Sequence, residues 1–200
     1  MAKPDDFRWN LGELLPGDRA VAATSQRLHG KHIGLLITGG IAAYRTPGLV
    51  RELRRAGAEV FVFLTPTAQQ FVAKDALEWT SLHPLVTALD GRAQHVETPL
   101  DAYLIAPASY STINKVAAGV ADNAVTTALA SALGLLEQGR VKVLIAPTMH
   151  GSMVNPILRE SLAKLTNLGC MIVAPRAQDG KAALPDDAVL VDAVATALNV

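Results

Sequence analysis

The 200-residue chain has a single cysteine, and that scarcity removes two classes of protein at once. One thiol builds neither a disulfide framework nor a multi-cysteine metal site. Its place in the apolar run from Cys170 to Ala174 reads as a buried strand thiol. Charge of one sign is missing too: Lys plus Arg and Asp plus Glu number 18 each. No overall field therefore draws the chain to nucleic acid or to an anionic membrane surface, and a neutral chain tends to associate. No apolar stretch approaches the roughly 20 residues that cross a bilayer, and the opening Met1-Ala-Lys-Pro-Asp-Asp6 has no apolar signal core. The expected location is cytoplasmic, with no membrane and no nucleic-acid partner.

What is present is apolar material, half of the residues, enough for one domain with a real core. Residues 1–30 carry Trp9, Leu11, Leu14 and Leu15 without a sustained period and break at Pro16-Gly17-Asp18, so they are read as an N-terminal arm to a domain over 31–200. From His32 to Thr38 a short apolar run ends in Gly39-Gly40, as for a strand buried on both faces. Leu49, Val50, Leu53 and Ala56 then share a helical face that Gly57 terminates. The pattern repeats: a strand over Glu59 to Leu64, a helix around Ala68 to Trp79, a strand over Ala102 to Ala106, and an Ala-rich helical region to about Glu137. Another strand spans Val141 to Ala146, a helix capped by Asn155-Pro156 ends at Gly169, and a last helix runs from Asp187 to Leu198. Alternation with short connections predicts a single-domain α/β fold, doubly wound and mainly parallel (Rossmann- or flavodoxin-like, three layers) with helices on both faces. Ligands of such sheets bind at the carboxyl ends of the strands.

Three strand ends carry unusual chemistry. Thr38-Gly-Gly-Ile-Ala-Ala-Tyr44 allows a tight turn and close backbone approach, with helix N-terminal amides facing an anion. It is neither Gly-x-Gly-x-x-Gly nor a loop ending in Lys-Ser/Thr, so the dinucleotide and nucleoside-triphosphate fingerprints both fail, and a plain strand-to-helix turn reads equally well. Ala106-Pro-Ala-Ser-Tyr-Ser-Thr112 packs hydroxyls and amides into one connection that either cradles a phosphate or a flavin's polar rim, or caps a helix through Ser109 or Ser111. Ala146-Pro-Thr-Met-His-Gly-Ser-Met153 sets a histidine between two methionines, an adaptable wall for a flat ring or ordinary packing.

Taken in order, Ile37-Thr-Gly-Gly-Ile-Ala-Ala-Tyr44, His95-Val-Glu97, Ala106-Pro-Ala-Ser-Tyr-Ser-Thr112 and Pro147-Thr-Met-His-Gly-Ser-Met153 resemble the flavin-containing cysteine decarboxylase family, over about Lys31 to Pro175. That family includes phosphopantothenoylcysteine decarboxylase and peptidyl-cysteine decarboxylases, which bind FMN and form homotrimers or homododecamers of trimers. The resemblance implies an FMN-dependent lyase acting on a small-molecule or peptidyl cysteine. It assigns FMN contacts to Gly39, Gly40, Ile41, Thr65, Thr67, Ser109, Tyr110, Ser111, Thr112, Thr148 and Met149, substrate contacts to His150 and Met153, and the catalytic base to His95. In the implied reaction His95 helps deprotonate the thiol, the flavin takes a hydride from the β-carbon, and carbon dioxide leaves.

Two positions depart from the family pattern. His150 stands where the family has an asparagine that orients the substrate carboxylate, which puts substrate geometry and pH optimum in question. Ala177-Gln-Asp-Gly-Lys-Ala-Ala-Leu-Pro185 has none of the Cys-Gly-Asp of the coenzyme A branch, and Cys170 is a poor substitute. With the chain ending at Val200, the expectation is a flavoprotein without a synthetase domain. An FMN-dependent reductase or electron carrier for a small heterocycle such as a pterin, and a non-catalytic FMN-binding subunit, are the alternatives. The Thr-Gly-Gly-Ile-Ala turn is not the Ser-Gly-Ala-Ser-Gly loop of the flavin prenyltransferases.

Overall fold

A computed structural model describes residues 15–90 and 100–200. Its centre is a five-stranded parallel sheet in the order β2-β1-β3-β4-β6, built from β1 (His32–Ile37), β2 (Glu59–Leu64), β3 (Ala102–Ala108), β4 (Lys142–Pro147) and β6 (Met171–Ile172). This is a doubly wound order in which the chain turns back between β1 and β3, so those two strand ends diverge and leave a crevice.

Past polar first residues such as Glu59 and Lys142, the long strands are apolar because both faces are covered. Ile33, Leu35, Ile37, Leu104, Ala106 and Leu144 pack on one face, against Leu49, Val50 and Leu53 of α1 (Thr46–Arg55), Leu77 of α2 (Lys74–Ser81) and Leu190 and Val194 of α6 (Asp187–Ala197). Leu36, Tyr103, Ile105, Val143 and Ile145 point the other way, onto Ile113 of α3 (Tyr110–Ala117), Val125 and Leu129 of α4 (Ala124–Glu137) and Leu158 and Leu165 of α5 (Pro156–Asn167). The period-2 alternation of β-structure thus divides one apolar run between two cores. Each fully buried Leu or Ile side chain contributes about 2 kcal/mol.

Local chemistry sets the ends of the helices. Asn123 Oδ1 accepts from the Val125 and Thr126 amides at 3.0 and 3.2 Å, while Thr126 Oγ1 accepts from the Asn123 amide at 3.1 Å, a reciprocal cap on α4. Asn155 Oδ1 caps α5 through the Leu158 amide at 3.1 Å, with Pro156 in its first turn as expected. Gly57 closes α1 at φ +97°, and a Cβ there would stand 3.0 Å from the His29 backbone.

One expectation changes. The helix read from Ala68 to Trp79 is instead a short 3-10 turn, Ala68–Gln70, followed by α2 beginning only at Lys74. The Thr65 hydroxyl and carbonyl both accept from the Ala68 amide, so this turn is built on the end of β2 rather than on helical periodicity. Residues 24–29, read as part of an arm, pack on the domain: the Leu28 amide donates to Ala56 O at 2.8 Å, the Thr24 amide to Arg55 O at 2.9 Å, and Leu28 is fully buried in the core.

Candidate functional site

The site grows from the crevice between β1 and β3. Thr38, fully buried just past β1, donates its hydroxyl to Pro107 O at 2.7 Å and accepts the Ser109 amide at 2.8 Å. One side chain therefore clamps the two diverging strand ends in register. Beyond it the Gly39-Gly40 turn keeps the floor bare. A Cβ on Gly39 would lie 2.5 Å from Thr67 Cγ2, so any side chain there displaces the turn that follows β2.

Two adjoining clefts share Gly39, Ser109, Tyr110 and Met153. The smaller, about 400 Å³, is polar: Thr65, Thr67, Ser111 and Thr112 line it with hydroxyls, and Lys115 and Asp122 close it. The Lys115 ammonium bonds the Asp122 carboxylate and holds its pKa below the usual value. The N-terminus of α3 opens here, capped by Ser109, whose Oγ accepts from the Thr112 amide at 3.4 Å. Hydroxyls and a helix N-terminus together form a receptor for an anion such as a phosphate. Ser109 caps the helix and lines the cleft at once.

The larger cleft, about 650 Å³, falls within the size range of cofactor sites. Its walls are Gly40, Ile41 and Tyr44 on one side and Tyr110, Thr148, Met149 and Met153 on the other, with His150 at the edge. Met149 is buried against the second core while Met153 is 39% exposed, so only the latter is a free, adaptable wall. Bare glycines, flat apolar side chains and a hydroxyl-lined extension suit a planar ring carrying a phosphate.

A small antiparallel sheet, β5-β8-β7, covers the far side: β5 (Met149–His150), β7 (Arg176–Gln178) and β8 (Lys181–Ala183). Asp179 and Gly180, at φ +49° and +70°, form its two-residue turn. The Gly151 amide donates to Gly180 O at 3.0 Å, and a Cβ on Gly151 would approach that oxygen to 2.3 Å, so only glycine lets the hairpin tip dock. At its base Arg45 donates to Leu184 O at 3.0 Å, Pro185 O at 3.1 Å and Asp187 Oδ1 at 2.9 Å, tying the glycine turn to the hairpin. Burial outweighs the Arg45 guanidinium and raises the Asp187 pKa above its ordinary value.

The structure thus brings together Gly39, Gly40, Ile41, Thr65, Thr67, Ser109, Tyr110, Ser111, Thr112, Thr148, Met149, His150 and Met153 around the joined clefts. His95 lies outside the described residues. Sequence reading missed Tyr44, Arg45 and the hairpin residues Arg176, Gln178 and Lys181. The signal for the hairpin was present in Asp179-Gly180, a strong two-residue hairpin dipeptide.

Cys170 takes no part in the clefts. It is 3% exposed under the second core, and burial pushes its thiol pKa up to about 11. At pH 8 about one thiol in a thousand is then a thiolate. The folded protein is expected to resist Ellman's reagent for minutes and to release one equivalent when unfolded in guanidinium. A fast native-state equivalent would contradict this burial.

Comparison with known proteins agrees with this architecture. The family described as Flavoprotein matches residues 21–199. The coenzyme A biosynthesis bifunctional protein CoaBC of Thermococcus kodakarensis is 38% identical over 168 residues, 80% of this chain and 40% of that protein. Its counterpart in Methanocaldococcus jannaschii is 33% identical over 187 residues, 92% of this chain and 45% of that one, so the chain spans less than half the length of these relatives. The solved FMN-dependent cysteine decarboxylase SpaF superimposes with a TM-score of 0.74 at 25% identity, covering 86% of this chain and 97% of that one. With the family matched over nearly the whole chain and the same fold in a solved relative, this protein belongs to the Flavoprotein family.

Proposed function

We propose that the chain binds FMN across the joined clefts and catalyses the oxidative decarboxylation of a cysteinyl carboxylate. The observation that carries this reading is the division of the crevice into a hydroxyl-rich half at a helix N-terminus and a flat apolar half, sharing Gly39 and Ser109. The residues fit the group. Thr65, Thr67, Ser111 and the α3 amides would hold the phosphate, while Gly40, Tyr110 and Met153 would flank the ring. The names of the relatives, among them an FMN-dependent cysteine decarboxylase, support the same cofactor and reaction.

Bound FMN would supply a two-electron acceptor that no side chain provides. The chain's own part is to orient the substrate and move protons. A ring nitrogen of His95 would accept the thiol proton, so that the β-carbon is presented with an electron-rich sulfur beside it. His150, at the hairpin side of the larger cleft, would donate to the substrate carboxylate in the place of an asparagine. The hairpin would exclude water from the reacting end. Exposed Ile41, Tyr44, Met153 and Val154 at the cleft mouth support a homo-oligomer, a trimer or a dodecamer of trimers, with a second copy over that rim. No helix among the described residues is long and apolar enough to cross a membrane.

Purified protein is expected to be yellow, to release one FMN per chain on denaturation, and to bleach anaerobically on mixing with phosphopantothenoylcysteine or with a peptide ending in cysteine. A colourless chain that refuses added FMN sinks the reading. A yellow chain that neither substrate bleaches leaves the flavin and removes the decarboxylase.

A further inference from the structure

The cations lining the larger cleft are not equivalent. Arg45 is neutralised by Asp187 at 2.9 Å and Arg176 by Asp186 at 3.2 Å. Lys181 also lines the cleft, and among the described residues no carboxylate pairs with it. The acid in that lining, Asp179, sits at the hairpin turn.

The register of the small sheet puts Lys181 directly opposite His150. Residues opposed in an antiparallel pair project from the same face, with Cβ atoms about 5 Å apart. The histidine's role is fixed by its own loop. The Ser152 amide approaches His150 Nδ1 at 3.2 Å, and an amide N–H can only donate. Ser152 Oγ also lies 2.8 Å from Nδ1, so that nitrogen is engaged by its own loop. His150 offers a ring nitrogen for hydrogen bonding; Lys181 beside it offers a full positive charge.

Resting on the decarboxylase reading above, we propose that Lys181 is the docking group for the substrate carboxylate, acting beside the His150 ring. The ligand class is a small or peptidyl thiol with a free carboxylate on the carbon next to the thiol-bearing one. The hairpin thereby becomes a carboxylate-selecting element, held over the cleft by Gly151–Gly180 and Arg45. A Lys–carboxylate contact at a solvent-exposed edge is worth about fivefold in affinity.

The test titrates FMN-loaded protein anaerobically with N-acetylcysteine and with its carboxamide, reading perturbation of the flavin spectrum. Wild type is expected to prefer the acid. Lys181→Met is expected to lose about fivefold of that preference, with the melting temperature and FMN affinity unchanged, and Lys181→Arg to restore it. An unchanged acid-to-amide ratio in Lys181→Met overturns the proposal, as does a yellow wild-type protein that binds neither probe. If the chain takes up no FMN, the same probes are titrated by ligand-detected NMR. A Lys181-dependent preference there sinks the flavin reading and keeps this one, and no preference sinks both.

Discussion

Replacing Thr38 by valine is expected to cost about 2–3 kcal/mol, which for a chain of this size lowers the melting temperature by about 5–10 °C. Valine keeps the shape and β-branching of threonine, so the buried space stays filled. What disappears is the hydroxyl that accepts the Ser109 amide and donates to Pro107 O. Pro107 O keeps the Thr38 amide at 3.3 Å, so most of the cost falls on the Ser109 amide, left without that acceptor. Thr38→Ser retains the oxygen, loses one methyl, and is expected to cost only about 1 kcal/mol. Thermal melts of the two variants side by side decide the matter: valine as stable as wild type would mean that the clamp carries no energy. The loss should also reach the cofactor, because Ser109 sits in both clefts.

The largest kinetic effect is expected at His95. If it is the base proposed above, His95→Asn lowers kcat by about a hundredfold to ten-thousandfold. FMN content should stay at one per chain, since the proposed flavin contacts come from other residues. The separation is measured by single-turnover flavin bleaching under anaerobic conditions beside a count of released FMN. Full bleaching at the wild-type rate removes His95 from the reaction, and loss of FMN together with activity makes its role structural instead.

Strand ends were the most legible part of the sequence, for a physical reason. A strand buried on both faces must be a continuous apolar run, so Gly39-Gly40 and Ser109-Tyr-Ser-Thr112 stand out where it stops. The 3-10 turn at Ala68–Gln70 was misread because its cause, the Thr65 hydroxyl and carbonyl at the end of β2, belongs to no helical period. β7 and β8 were missed because three-residue strands with exposed or half-buried side chains carry too little alternation to be seen. Arg45 was hidden differently: its partners lie about 140 residues away, and a long-range guanidinium bridge leaves no local mark.

That bridge joins two equilibria. Arg45 ends the short helical turn that begins at Ile41 on the wall of the larger cleft, and the carbonyls it holds, Leu184 and Pro185, follow directly on β8. Any ligand whose binding is coupled to order in the first segment is coupled through the guanidinium to order in the second, and linkage makes the influence equal in both directions. Order in one half of the crevice then depends on order in the other.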